Sequence, residues 1–111
     1  MRGKALRIPF HLPVRFGVPG AVFEDEILNL STGGAFIRTT RYHRPGSVIF
    51  LEFSLDGVEK TRATGKVMWV TEGVPGNKIS FAKGLGVEFQ DISATTRANL
   101  GLLAHHFRVF P

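Results

Sequence analysis

Cysteine is absent from this 111-residue chain, and so are long apolar runs. Without cysteine the protein has no disulfide framework, no thiolate metal ligand and no cysteine nucleophile, which is compatible with a reducing compartment. No apolar stretch approaches the ~20 residues that a membrane-spanning helix needs. Basic residues near the N-terminus are not followed by the apolar stretch of a signal peptide. The sequence therefore predicts a cytoplasmic protein without membrane insertion.

Acidic residues are outnumbered, with 9 Asp and Glu against 14 Lys and Arg and a net charge of +5. Such an excess favours an anionic partner, for example a nucleotide, a nucleic acid, a phospholipid or an acidic protein face. The basic residues concentrate at positions 2–15 and 38–44, and an acidic run at 24–26 lies between them. The apolar content of 43% is that of a globular protein, and the length suits one domain.

The residue patterns of common catalytic and metal sites are also missing. His105 and His106 are adjacent on a predicted helix and would point to different faces, whereas a metal-binding pair needs i, i+4 spacing. His11 and His43 are isolated in the sequence. The glycine pair at 33–34 lacks the Lys-Ser/Thr continuation of a phosphate-binding P-loop. We therefore expect no enzymatic activity and no metal site.

Apolar and polar residues alternate along most of the chain, and this period of two is typical of half-buried strands. Strands are predicted at 14–18, 21–30, 35–39, 48–55, 58–71 and 84–89. Asp56 and Gly57 predict a tight hairpin between two of these strands, with Gly57 at positive φ. In the strand that follows, Val67, Trp69 and Thr71 share one face, and we expect Trp69 to pack in the core.

Only the C-terminal segment has a helical period. Leu100, Leu103, Ala104 and Phe107 recur at helical spacing and predict a helix over residues 93–107. Asp91 or Ser93 can cap its first turn by accepting a backbone N–H bond. Many short strands joined by Gly/Pro turns indicate a closed barrel or a sandwich, which the helix would cover on one face or at one end.

Residues 29–34 combine several groups that can bind a ligand. Asn29 offers donors and acceptors, Ser31 offers a hydroxyl, and Gly33 and Gly34 permit positive φ and a close approach of a flat molecule. This arrangement suits a guanine edge or a phosphate. It equally suits a tight turn that is stabilised by bonds from side chain to backbone. The segment alone leaves both interpretations open.

The spacing of Asn29, Ser31 and Gly34 resembles the Asp/Asn-x-Ser-x-x-Gly signature of the PilZ family. Three further segments resemble that family in the same order: the start of the first strand at 7–14, GKVMWV at 65–70 and GLGVEF at 84–89. The resemblance implies an all-β fold, a six-stranded antiparallel β-barrel with a C-terminal α-helix. The whole chain, 1–111, would be a single domain with an N-terminal arm at 1–12, the barrel at 13–90 and the helix at 93–107.

The same resemblance implies a bacterial cytoplasmic receptor for cyclic di-GMP that acts in second-messenger signalling without a cofactor. In the family an N-terminal Arg-x-x-x-Arg arm wraps the ligand. Arg7 matches the second arginine, whereas the first position is Gly3, flanked by Arg2 and Lys4. The implied ligand-binding residues are Arg2, Lys4, Arg7, Asn29, Ser31, Gly33 and Gly34.

Two alternatives remain. Some members of the family lack the ligand motif and act only through proteins, so the chain could be a PilZ-like interaction module that does not bind nucleotide. In either case a downstream protein partner is expected. A basic barrel could also bind single-stranded nucleic acid through stacked aromatics. The acidic run at 24–26 and the lack of an aromatic-basic strand motif disfavour nucleic acid as the partner.

Overall fold

The computed structural model of the chain describes residues 8–55, 57–72 and 83–109. Within these residues the chain forms six strands and one helix. The elements are β1 (Ile8–Val18), β2 (Ala21–Leu30), β3 (Gly34–Arg38), β4 (Val48–Phe53), β5 (Thr61–Thr71), β6 (Gly84–Asp91) and α1 (Ala94–Val109). The first strand begins at Ile8, inside the range of 1–12 that the sequence assigned to an arm, because Ile8 is already in register with Leu30 of β2.

The strands close into a barrel in the order β1-β2-β3-β6-β5-β4, and all neighbouring strands are antiparallel. This confirms the predicted six-stranded antiparallel barrel with a C-terminal helix. Apolar and polar side chains alternate along the strands, which gives the sheet one apolar face. In β4, for example, Ile49, Leu51 and Phe53 are buried and their neighbours are more exposed. Closing the sheet pairs the strands at both edges and leaves one apolar face inside.

Large apolar side chains from all six strands fill the barrel. The largest fully buried ones include Phe16, Phe53, Ile27, Leu30, Ile37, Leu51 and Leu85. Burial of each such side chain contributes about 1.5–3 kcal/mol relative to leaving it in water. Ile92 and Leu100 belong to the same cluster, so the N-terminal half of α1 packs against the barrel.

The helix begins where a hydroxyl caps it. The Thr96 N–H donates to Ser93 Oγ at 3.1 Å, so Ser93 rather than Asp91 is the N-cap. The buried Thr96 hydroxyl in turn lies 3.4 Å from Thr61 Oγ1 at the start of β5. The predicted helix at 93–107 is therefore confirmed, with bounds of Ala94–Val109.

The predicted tight hairpin at Asp56 and Gly57 is wrong in length. β4 and β5 do pair, but their ladder ends at Phe53 and Thr61, and Asp56 lies outside the described residues. Val58 is 83% exposed, whereas Leu55 is partly buried against the core. Gly57 has φ of 79°, as predicted.

Trp69 does not pack in the core. The register of β5 shifts between Val67 and Trp69, which leaves Val67 fully buried and Trp69 45% exposed on the outer surface. A bulge of this kind breaks the strict alternation from which a shared face was predicted. Opposite Trp69 lies Gly86, where an added Cβ would come within 2.1 Å of the indole ring. The absence of a side chain at Gly86 allows the indole to cover β6.

Candidate functional site

The turn between β2 and β3 is organised by Ser31. Its hydroxyl oxygen accepts the N–H groups of Gly33 and Gly34, both at 3.2 Å, and its backbone N–H donates to the Gly34 carbonyl at 2.9 Å. Ser31 is only 4% exposed. The side chain therefore stabilises the turn through hydrogen bonds to its backbone. This is the second of the two interpretations that the sequence left open.

The two glycines of the turn have different tasks. Neither is among the glycines with positive φ, so backbone handedness is not the reason for the pair. At Gly34 an added Cβ would lie 2.1 Å from the Val87 carbonyl oxygen, because β3 and β6 approach closely there. At Gly33 the nearest atom would be Ser31 Oγ at 3.9 Å, and the residue is exposed. Gly34 therefore allows β3 and β6 to approach closely, whereas Gly33 leaves the surface of the turn accessible.

The turn is anchored from behind by two other elements. The Phe89 N–H of β6 donates to the Gly33 carbonyl at 2.8 Å. From α1, Arg97 Nη1 donates to the Thr32 carbonyl at 3.2 Å. Arg97 is exposed and forms no ion pair with an acid in the part of the chain that the structure describes. The fold thus adds a cation to the turn that no sequence signal identified, because it depends on how the helix packs.

A row of cross-strand partners extends from the turn over the outside of the barrel. Asn29 is in register with Phe36, Phe36 with Gly86, and Gly86 with Trp69. Directly opposed residues project from the same face of a sheet, so Asn29 lies on the face that carries both aromatic rings. We call Phe36 and Trp69 the aromatic row. The row lies on the outer face that also carries Asn29, and its proximity to the turn was missed because register cannot be deduced from the residues alone.

The N-terminal arm joins the barrel at this same place. Ile8 is opposite Leu30 and Pro9 is opposite Asn29, so β1 starts beside the turn. The predicted ligand residues Arg2, Lys4 and Arg7 lie outside the described residues. The structure therefore places Asn29, Ser31, Gly33 and Gly34 beside the start of β1, where the N-terminal arm joins the barrel.

Several other arginines are engaged in surface ion pairs. Arg15 and Arg62 both bind the carboxylate of Glu52, and Arg38 binds Glu26. Partial burial would raise the pKa of Glu52, but the hydrogen bonds and charges of the two arginines outweigh burial and lower the pKa. These cations lie on β1, β3 and β5 and are locally neutralised, so they contribute little to an anion site at the turn.

His43 packs against aromatic rings in the connection between β3 and β4. The centroid of its ring lies 5.9 Å from that of Phe16 and 6.1 Å from that of Phe23. Its Nδ1 is buried without a hydrogen-bond partner in the described part of the chain. Burial lowers the pKa of His43 below 6.5, partly opposed by a backbone hydrogen bond with Arg41. The folded state therefore favours the neutral imidazole.

This lowered pKa predicts a loss of stability in mild acid. Below pH 6.5 the unfolded chain binds a proton at His43 before the folded chain does, so the free energy of unfolding should fall until the folded-state pKa is passed. His43→Phe should remove that part of the pH dependence, and His11→Gln should retain it. Denaturant unfolding from about pH 8 to about pH 5 measures the effect. Identical pH profiles for wild type and His43→Phe would contradict it.

Neither a membrane-spanning helix nor a metal cluster is found in the part of the chain that the structure describes. Within residues 8–55, 57–72 and 83–109, no helix has the length and apolar content to cross a bilayer. Over the same ranges no three His, Asp or Glu side chains converge as metal ligands.

Comparison with protein families gives a match to the model described as PilZ domain over residues 1–105. Comparison with curated protein sequences gives no match. Among solved structures, the PilZ domain of YcgR from Escherichia coli, determined with c-di-GMP, is 17% identical with a TM-score of 0.67; the match covers 96% of this chain and 91% of that one.

Two longer proteins are similar in fold. The inhibitor of motility MotI/DgrA from Bacillus subtilis is 15% identical with a TM-score of 0.82, covering 98% of this chain and 52% of that one. The MrkH–c-di-GMP complex from K. pneumoniae is 13% identical with a TM-score of 0.73, covering 98% and 53%. The chain thus spans about half the length of these two proteins. At such identities the likeness shows the fold.

Proposed function

Since the chain belongs to the PilZ domain family, we propose that it is a receptor domain for cyclic di-GMP in bacterial second-messenger signalling. It acts in the cytoplasm, without catalysis, metal or cofactor, and passes the signal to a downstream protein. The observation that carries the proposal is the open surface at Gly33, beside Asn29 and beside the start of β1. The solved structures of YcgR and MrkH, which share this fold, contain c-di-GMP.

The ligand lies over the turn at residues 29–34, and the arm closes on it. Arg7 and either Arg2 or Lys4 contact the ligand from the N-terminal side. Arginine suits this task because its planar fork matches phosphate oxygens and the O6/N7 edge of guanine. With Gly3 at the other arginine position of the arm, the second contact is left to Arg2 or to Lys4, and lysine has no bidentate fork.

Each element of the turn has a distinct role in this proposal. Asn29 meets a base edge with its amide, and Ser31 holds the loop in shape. Gly33 admits the ligand closely. Arg97 adds positive charge next to the Thr32 carbonyl, which partly offsets the missing arm arginine. The aromatic row, Phe36 and Trp69, offers a flat surface on which a base can stack.

Gly33→Ala separates binding from folding. Among the described residues an added methyl group meets no atom closer than 3.9 Å, so thermal stability should be unchanged, but the methyl group occupies the surface that the ligand approaches. We expect affinity for cyclic di-GMP to fall about tenfold. Gly101→Ala on α1 is the matched control, because a Cβ there meets none of the described atoms within 4 Å and the residue lies outside the turn. Equal calorimetric affinities for the two variants would count against the proposed site.

A second candidate function is a PilZ-like interaction module that does not bind nucleotide. Gly3, which stands in place of an arm arginine, favours it, because one lost charge-assisted contact costs about 1.5–3 kcal/mol. That corresponds to roughly a ten- to a hundredfold loss of affinity. A folded protein that gives no heat with cyclic di-GMP would establish this candidate over the first.

A further inference from the structure

A groove of about 600 Å³ opens on the side of the barrel where β1 and β4 meet. Its floor is apolar and includes Leu12, Val14, Phe53 and Leu55. Val14 and Phe53 also belong to the core, so the groove reaches the layer of side chains that fills the barrel. The proposed ligand turn at 29–34 contributes no residue to it.

The groove exists because the barrel closes over a short stretch only. β1 pairs with β2 from Ile8 to Val18, but it pairs with β4 only through Arg15, Phe16 and Gly17. Among the described residues, positions 8–14 of β1 therefore have no partner strand on the β4 side. Pro13 lies on this open edge, a position that tolerates a residue without a backbone N–H. An open edge presents backbone groups that can pair with an added strand.

The charge of the groove is opposite to that of the chain. Four carboxylates line it, from Glu24, Asp25, Glu26 and Glu52, against two cations. Glu26 and Glu52 are bound by arginines, whereas Glu24 and Asp25 form no ion pair in the described part of the chain. On a protein with a net charge of +5, an acidic rim over an apolar floor is a local reversal of sign.

From these three features we infer that the groove binds an extended segment of a partner protein in which apolar and basic residues alternate. The segment adds as a strand to the open edge of β1. Its apolar side chains enter the floor at Leu12 and Leu55, and its basic side chains face Glu24, which shares the outer face with Arg15. A strand has a side-chain period of two, so one extended segment can satisfy both surfaces. The inference does not depend on nucleotide binding at the turn.

A short fluorescein-labelled peptide of alternating lysine and valine tests this surface by fluorescence anisotropy. We expect saturable binding of this peptide and none of the matched peptide of glutamate and valine. The double variant Glu24→Gln/Asp25→Asn should bind about tenfold more weakly, because it removes both unpaired charges. Glu88→Gln, which removes an exposed carboxylate on β6, should bind like wild type.

Lys60→Glu provides a test that does not rely on loss of function. Lys60 lines the groove and is exposed, so this variant should keep the fold and bind the basic peptide more tightly than wild type. Amide resonances of Leu12, Val14 and Arg15 should shift on titration. Equal binding of both peptides, shifts confined to other strands, or no saturation would overturn the inference. Self-association that the double variant abolishes would also overturn it, because the occupant would then be a second copy.

Discussion

Gly34→Ala should lower the free energy of unfolding by about 2–3 kcal/mol, the range of a poorly tolerated insertion into a packed site. The added Cβ would lie 2.1 Å from the Val87 carbonyl oxygen, far inside van der Waals contact. The obstacle is backbone, which cannot rotate away as a side chain can. Either β3 or β6 must move, and the pairing of Ala35 with Val87 is weakened as a result.

Denaturant unfolding of Gly34→Ala measures this loss, and Gly33→Ala is the matched control. The two glycines are neighbours in the same turn, but at Gly33 a Cβ meets no atom of the described part of the chain closer than 3.9 Å. The control should stay within about 0.5 kcal/mol of wild type. If both variants were equally stable, the close approach of β3 and β6 at Gly34 would be wrong.

Arg7→Ala should remove most of the affinity for cyclic di-GMP, a loss of roughly ten- to a hundredfold. In the proposed site Arg7 is the one arm position that matches the family's arginine pattern, and a guanidinium makes charge-assisted contacts with phosphate or guanine. It immediately precedes Ile8, which lies opposite Leu30 at the turn. Thermal unfolding should be unchanged in this variant.

Two controls distinguish a specific contact from a general effect of charge. Arg44→Ala removes the same charge from the exposed connection between β3 and β4, and should leave affinity nearly unchanged. Arg7→Lys keeps the charge but loses the bidentate fork, so its affinity should be intermediate. Equal losses for Arg7→Ala and Arg44→Ala would mean that binding responds only to net charge.

The barrel could be predicted because its strands obey a period of two. Ile49, Leu51 and Phe53 alternate with more exposed neighbours as their sequence indicates. Trp69 could not be placed in this way, because a register shift next to Val67 turned it outward. The end of the β4–β5 ladder at Phe53 and Thr61 was also missed, because an Asp-Gly pair indicates a local turn and not where strand pairing ends.

The position of the candidate site could be predicted from the sequence, but the roles of its individual residues could not. The spacing of Asn29, Ser31 and Gly34 located the turn. That Ser31 points inward, and that Gly34 serves the packing of β6, depends on contacts between strands distant in sequence. Arg97 was missed because its role depends on the docking of α1.

Calorimetric titration of the wild-type protein with cyclic di-GMP tests the central claim most directly. A linear dinucleotide serves as the control. We predict saturable heat with the cyclic ligand and much weaker binding of the linear one. Affinity should fall as salt rises, because in the proposed site the two phosphates of the ligand face arginines. No heat from the folded protein at high micromolar cyclic di-GMP would contradict the receptor function and leave the interaction module in its place.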